Sequence, residues 1–208
     1  MSNQVLDAKH ENDLTDQQLV NIVLSGDTNA FGAIIKKTER LVAQIVFKMI
    51  KNTEDRKDIA QDIYLKAFKY LSSFKFQSKL STWIARIAYN SCLNYLEKRK
   101  LNSLPDIRER DEADEDSEHT ANEAIGQSDN EIEVFIFQKE LSEILKSEIE
   151  SLPPLYKTLI TLYHNEELSY AEIIEITGLP EGTLKNYLFR ARKTLRENLL
   201  HKYKRNSL

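Results

Sequence analysis

Apolar residues recur along this chain at three- and four-residue intervals rather than at every second position, the spacing of one face of an α-helix. Thr15-Asp16-Gln17-Gln18 has the form of a capping box and Gly26 suits a stop, so a first helix is predicted from about Asp16 to Ser25. A second should start near Asp27 or Thr28 and turn Phe31, Ile34, Ile35, Leu41, Ile45 and Met49 inward. Thr53 is the expected cap of a third, about Glu54 to Leu71, with Ile59, Ile63, Ala67 and Tyr70 on one stripe. After a Ser- and Phe-rich loop, a fourth helix from about Lys79 to Lys100 should bury Leu80, Trp83, Ile84, Ile87 and Tyr95. Much later, Leu141, Ile144, Leu145, Ile149 and Leu152 mark another helix, which Pro153-Pro154 breaks before LYKTLITLYHNEEL begins the next. Ser169-Tyr-Ala-Glu172 is a second capping box, Gly178 a second stop, and a last helix follows Pro180-Glu181-Gly182. Two short helices about a tight Gly-containing turn form a helix-turn-helix pattern.

The stretch 101–135 breaks this periodicity. It holds twelve acidic residues against two basic ones, too polar and too charged to bury a core. The prediction is therefore an all-α protein of two small helical domains joined by an acidic flexible linker. A tail covers 1–13, a helix bundle 14–100, the linker 101–135, and a helix-turn-helix domain 136–208. With five Gly and four Pro in 208 residues, turn-rich β architectures are disfavoured. A lone Cys92 excludes a disulfide framework and a Cys-based zinc site. No apolar run reaches the roughly 20 residues that cross a bilayer, and Met-Ser-Asn-Gln does not open a signal peptide, so a cytoplasmic protein without membrane insertion is expected.

The net charge of −4 argues against a nucleic-acid partner until it is partitioned. Residues 1–100 carry +5, the linker −10, and the final 27 residues, Gly182 to Leu208, eight Lys/Arg against the single acid Glu197. On the last helix Leu184, Leu188, Ala191 and Leu195 share a narrow arc that must face the core. The opposite arc carries Lys185, Asn186, Phe189, Arg190, Lys193 and Arg196. A solvated basic face would explain the cations but not a Phe among them, turned from the core. In a helix-turn-helix this helix enters the major groove. Lys185, Asn186 and Arg190 then reach base edges, Phe189 a thymine methyl, and Arg192, Lys193 and Arg196 phosphates.

The first domain holds a second signal. Eight of the 18 aromatics lie within the 32 residues from Tyr64 to Tyr95, interleaved with Lys66, Lys69, Lys75, Lys79 and Arg86. Phe68, Trp83 and Tyr95 are read as core, whereas Phe74 and Phe76 fall in a polar loop. Aromatics in a cationic groove are what holds single-stranded nucleic acid. Nothing in the chain suggests catalysis: there is no Gly-rich phosphate loop and no Ser/His or Cys/His pairing in a recognisable setting. His164 beside Glu166 and Glu167 reads as a solvated polar face rather than a metal site, and Cys92 as a buried thiol. No catalytic residue, metal or cofactor is expected.

Asp55-Arg-Lys-Asp-Ile-Ala-Gln-Asp-Ile-Tyr64, Phe74-Lys-Phe and Ser81-Thr-Trp-Ile-Ala-Arg-Ile-Ala-Tyr-Asn90 together resemble region 2 of bacterial RNA polymerase sigma factors of the extracytoplasmic-function group, in the sigma-70 family. Leu152-Pro-Pro-Leu-Tyr, Tyr170-Ala-Glu-Ile-Ile and Pro180-Glu-Gly-Thr-Leu-Lys-Asn-Tyr-Leu-Phe-Arg-Ala-Arg-Lys-Thr-Leu resemble region 4. The resemblance implies a sigma factor that binds the β′ and β subunits of core RNA polymerase and promoter DNA, without catalysis of its own. An anti-sigma factor is a further implied partner. Asp58, Gln61 and Asp62 match the part that docks on the β′ coiled coil. Phe74, Phe76, Ser78, Trp83, Arg86 and Asn90 lie in the part that melts and captures the −10 element. Thr183, Lys185, Asn186, Phe189, Arg190, Arg192, Lys193 and Arg196 fall on the −35 reader. One departure is Arg56-Lys57, where the family commonly has Ala-Glu, which inverts a local charge. The linker would thread the polymerase's basic channels or act as a spacer kept off DNA by its charge. Two other readings remain open at this level: a stand-alone helix-turn-helix regulator with an N-terminal sensor or dimerisation domain, and a helical adaptor that binds only protein.

Overall fold

The computed structural model describes residues 14–102 and 142–206. The tail 1–13, the linker 101–135 beyond Asn102, and the stretch 136–141 with Leu141 lie outside them. Among the described residues every regular element is helical: α1 Asp16–Leu24, α2 Phe31–Met49, α3 Thr53–Tyr70, α4 Leu80–Asn102, α5 (residues 142–151), α6 Pro154–Ile160, α7 Tyr170–Thr177 and α8 Glu181–Asn206.

Both predicted capping boxes form. Thr15 accepts from the Gln18 amide while Gln18 returns to the Thr15 amide, and Ser169 and Glu172 do the same for α7. Gly178 ends α7 with φ 71°, a left-handed conformation that costs a residue without Cβ little. Several local expectations shift. The cap of α3 is Asn52, which accepts from the Glu54 amide at 3.1 Å, rather than Thr53, the first helical residue. The first turn expected of α2 is a separate 3₁₀ turn, Thr28–Ala30, held by Asp27. Tyr70 and Leu145, expected on inner stripes, are 51% and 39% exposed, and Phe68, expected in the core, is 43% exposed, in a T-shaped contact with Phe31. The helix expected through LYKTLITLYHNEEL widens after Ile160 into a π turn, Thr161–Asn165, where the Glu166 amide reaches back to the Thr161 carbonyl.

The start of α4 depends on a residue far away in sequence. Asp16 accepts from the Leu80 amide at 2.9 Å, supplying the cap that the local sequence lacks, and its other oxygen pairs with Lys37 of α2 at 2.6 Å. Burial pushes this carboxyl up, but the hydrogen bonds from Lys37 and the Leu80 amide, with the Lys37 charge, outweigh it and the pKa lies below the ordinary Asp value.

The two halves pack against each other. α6 lies on α2 and α7 on α4, and one continuous cluster runs from Leu19, Ile34 and Ile84 to Leu159, Ile173 and Leu188. Ion pairs border this contact: Lys48 with Glu150, Arg40 with Glu166 at 3.3 Å, and Lys79 with Glu172 at 2.8 Å. Glu150 also faces the buried Lys157 at 3.5 Å. Burial raises the Glu150 pKa, yet the two lysines overcompensate and hold it low.

Candidate functional site

The helix-turn-helix is built as the periodicity requires. Leu184, Leu188 and Ala191 are fully buried and Leu195 is 8% exposed, so the core arc of α8 anchors it against α6 and α7. At roughly 1.5–3 kcal/mol for each buried Leu, this arc fixes which face is left for solvent. Thr177 shapes the turn: its hydroxyl donates to the Ile173 carbonyl at 2.7 Å and accepts from the Leu179 amide at 3.3 Å. On the outer face Lys185, Asn186, Phe189, Arg192, Lys193 and Arg196 are exposed, and Thr183 and Arg190 are half-buried. Phe189 shows 47% of its surface to solvent between cations.

Two neighbours of this face are not evident from the pattern of cations. Glu181, at the first position of α8, pairs with Lys185 at 2.8 Å, which raises the Lys185 pKa and lowers that of Glu181. Arg192 lays its guanidinium 5.3 Å over the Tyr163 ring, in the π turn. Partial burial and the Arg192 charge together hold His164 below the ordinary His value. Glu166 is taken up by Arg40 rather than by His164.

In the loop between α3 and α4 the two phenylalanines separate in role. Phe74 is 7% exposed and lies against Trp83 at 5.3 Å and Phe76 at 4.7 Å. It is a floor, not a displayed ring. Phe76 is 43% exposed and its backbone has φ 55°, a region bulky residues rarely enter and which commonly marks functional positions. Trp83 and Ser78 are half-buried, and Arg86 and Asn90 are exposed on α4 at i+3 and i+7 from Trp83, on one helix face. Lys75 is exposed in the same loop as Phe74 and Phe76, while Lys79 is engaged with Glu172. Lys66 donates to Ser91 at 3.1 Å, beside the buried Cys92, whose thiol burial pushes up to about 12. Such a thiol stays protonated at neutral pH, as a structural core Cys does.

On α3, Asp58, Gln61 and Asp62 are all exposed along one stripe. Leu65 continues the stripe and is 67% exposed, the most exposed large apolar side chain among the described residues. Helical spacing carries the signal: Leu65 is two residues from both Ile63 and Ala67, so it falls on the face opposite their stripe, a large apolar side chain among polar ones, absent from the residues expected of this surface. Arg56, the family departure, is used internally: its Nε donates to the Ile50 carbonyl at 2.7 Å, closing the end of α2, and its guanidinium lies 4.8 Å over Phe47. Only Lys57 carries the inverted charge to the open surface.

The family model "Sigma-70 region 2" matches residues 34–101, and "Sigma-70, region 4" matches residues 142–195. An ECF RNA polymerase sigma-E factor of Escherichia coli strain K12 is 35% identical over 185 residues, 88% of this chain and 93% of that protein. One from Haemophilus influenzae is 32% identical over 186 residues, 89% of this chain and 96% of that protein. Among solved structures, the sigma factor RpoE in complex with the anti-sigma factor NepR from Bartonella quintana matches with a TM-score of 0.56 at 21% identity, over 81% of this chain and 96% of that one, a likeness of fold.

Proposed function

The chain belongs to the sigma-70 family, in its extracytoplasmic-function group, and on that premise we propose how it brings core RNA polymerase to promoters and opens them. The carrying observation is a pair of surfaces in family order: a loop that displays Phe76 over a Phe74–Trp83 floor, and an α8 face that displays Phe189 among cations. α8 reads the −35 duplex. Lys185, Asn186 and Arg190 take base edges, Phe189 a thymine methyl, and Thr183, Arg192, Lys193 and Arg196 the backbone. The Phe74–Ser78 loop with Arg86 and Asn90 receives an extruded −10 base, a step that costs a few kcal/mol and needs a fitted pocket. Asp58, Gln61, Asp62 and Leu65 dock on the polymerase β′ subunit, the Leu as the apolar centre of a polar rim.

Both DNA elements cannot be served by the closed arrangement. Elements two helical turns apart lie about 70 Å from each other at about 34–36 Å per turn, whereas Lys79, next to the −10 loop, touches Glu172 of the helix-turn-helix. The halves therefore part on the promoter, and a tether of 35 residues reaches at most roughly 115 Å. An anti-sigma partner belongs to this reading, since the Bartonella quintana structure holds a sigma factor with one. A stand-alone regulator would leave the region 2 match over 34–101 without a purpose.

The test is reconstitution with core polymerase on a promoter library. Promoter-specific transcripts are expected with the chain and none without it. Tight duplex binding by the chain alone, with no transcript from the mixture, would overturn the reading.

A further inference from the structure

The first turn of α8 presents a feature that phosphate binding does not explain. Glu181 is the one carboxylate between Glu181 and Arg196, a stretch with five cations. It stands at the end of the helix that enters the groove first. There it opposes binding to every DNA sequence alike, unless it meets a donor. A Glu–Lys pair at i,i+4 is common on helices, but this one is exposed on both sides, at 62% and 58%, and sits where base edges are read.

We propose that Glu181 and Lys185 read one base pair of the −35 element as a unit. The inference rests on the assignment of α8 as the −35 reader. Lys185 Nζ and Glu181 Oε1 stand 2.8 Å apart, a donor and an acceptor held side by side. The major-groove edge of a G·C pair offers the complement: guanine O6 accepts, cytosine N4 donates, and the two are joined to each other across about 2.9 Å. Lys185 donates to O6, and the N4 amino group donates to Glu181. The order matters. A T·A pair, with thymine O4 under Lys185 and adenine N6 under Glu181, keeps the polarity but lacks the N7 acceptor that guanine places beside O6. The reversed pairs, C·G and A·T, set donor against donor and acceptor against acceptor. The structure thus assigns the ranking G·C, then T·A, then the reversed pairs, at a single position.

The experiment measures holoenzyme, formed from the full chain and core polymerase, on duplexes in which each −35 position is varied through all four base pairs. The parent is compared with Glu181→Ala and with the charge swap Glu181→Lys/Lys185→Glu, which retains an i,i+4 pair. In the parent, one position prefers G·C over C·G by about tenfold. The swap inverts that preference at the same position and leaves the others unchanged. Glu181→Ala shrinks the discrimination there. A uniform change on every duplex, in both variants, would make Glu181 a general electrostatic brake and overturn the proposal. A parent preference that both variants leave intact would also overturn it while leaving the −35 assignment standing. A parent indifferent to all −35 positions would remove that assignment and the proposal with it.

Discussion

The separation of Phe74 from Phe76 makes a prediction in which stability and promoter opening move apart. Phe74→Ala empties a site that is 7% exposed and packed on two rings, so it should cost the roughly 3–5 kcal/mol of a buried Phe truncation. Phe76 keeps 43% of its surface in solvent, and its covered part rests on Phe74. About half of the roughly 1.5–3 kcal/mol of a fully buried Phe is at stake, so Phe76→Ala should cost about 0.8–1.5 kcal/mol. The backbone strain at φ 55° is shared by Phe and Ala and cancels from the comparison. Urea unfolding of each variant gives the stabilities, and permanganate reactivity of −10 thymines in the reconstituted holoenzyme gives opening. Phe76→Ala should leave a folded, recruited factor with most thymine reactivity lost, and Phe76→Tyr, which keeps a ring, should restore much of it. Phe74→Ala should lose stability and opening together. If Phe76→Ala opens promoters like the parent, the exposed ring is not the stacking surface. If Phe74→Ala costs less than about 1 kcal/mol, the buried floor is wrongly placed.

Asp16→Ala should cost about 1–2 kcal/mol, mostly the lost cap of α4, with a smaller share from the partly exposed Lys37 pair. Because the Asp16 pKa is depressed in the folded state, its contribution is present above about pH 4 and is lost as pH falls through the folded value; Asp16→Asn should flatten that acid limb in a pH series of unfolding curves. Leu65→Asp should weaken association with core polymerase by at least about tenfold in a competition assay while leaving the melting temperature within a few degrees, and equal affinity would remove Leu65 from the docking surface. Arg190→Ala should cost about 1–3 kcal/mol at one −35 base pair, whereas an equal loss on all duplexes would mark a phosphate contact. Lys79→Glu sets two carboxylates face to face at the contact between the halves and should raise the radius of gyration in small-angle scattering at low salt; an unchanged value would show that the apolar contacts alone hold it closed.

What the sequence made legible was whatever repeats at short range. The inner arc of α8 follows from Leu184, Leu188, Ala191 and Leu195, and both capping boxes follow from four-residue motifs. The misses have physical causes. Asn52 and Thr53 are adjacent and both can cap a helix, so the hydrophobic pattern does not choose between them, although Asn is the better cap and is the one used. The cap of α4 comes from Asp16, 64 residues away, and no local rule reaches it. Phe74 and Phe76 lie in one polar loop with their rings 4.7 Å apart, and nothing in the local sequence tells which is covered: Phe74 also packs on Trp83, while Phe76 stays on the outside. Leu65 was legible but unused: it lies two residues from both Ile63 and Ala67, hence on the face opposite their stripe, among Asp58, Gln61 and Asp62. The contact between the halves rests on α2, α4, α6 and α7 surfaces that each read as ordinary helix faces of a separate domain.

Glu172 divides its two oxygens between unrelated tasks. Oε2 accepts from the backbone amide and the hydroxyl of Ser169, at 2.9 and 2.8 Å, while Oε1 accepts from Lys79. The lysine holds this carboxyl at about 2, with the Ser169 bonds adding to it, so it stays ionised at any physiological pH. On the proposed parting of the halves Lys79 leaves one oxygen to water, while the Ser169 bonds to the other belong to α7's own capping box. The joint is thus built as plug and socket, the socket's own bonds being independent of the plug. On that proposal the reading head would reach DNA with its first helix already formed, and the entropy of ordering it would not be lost on contact.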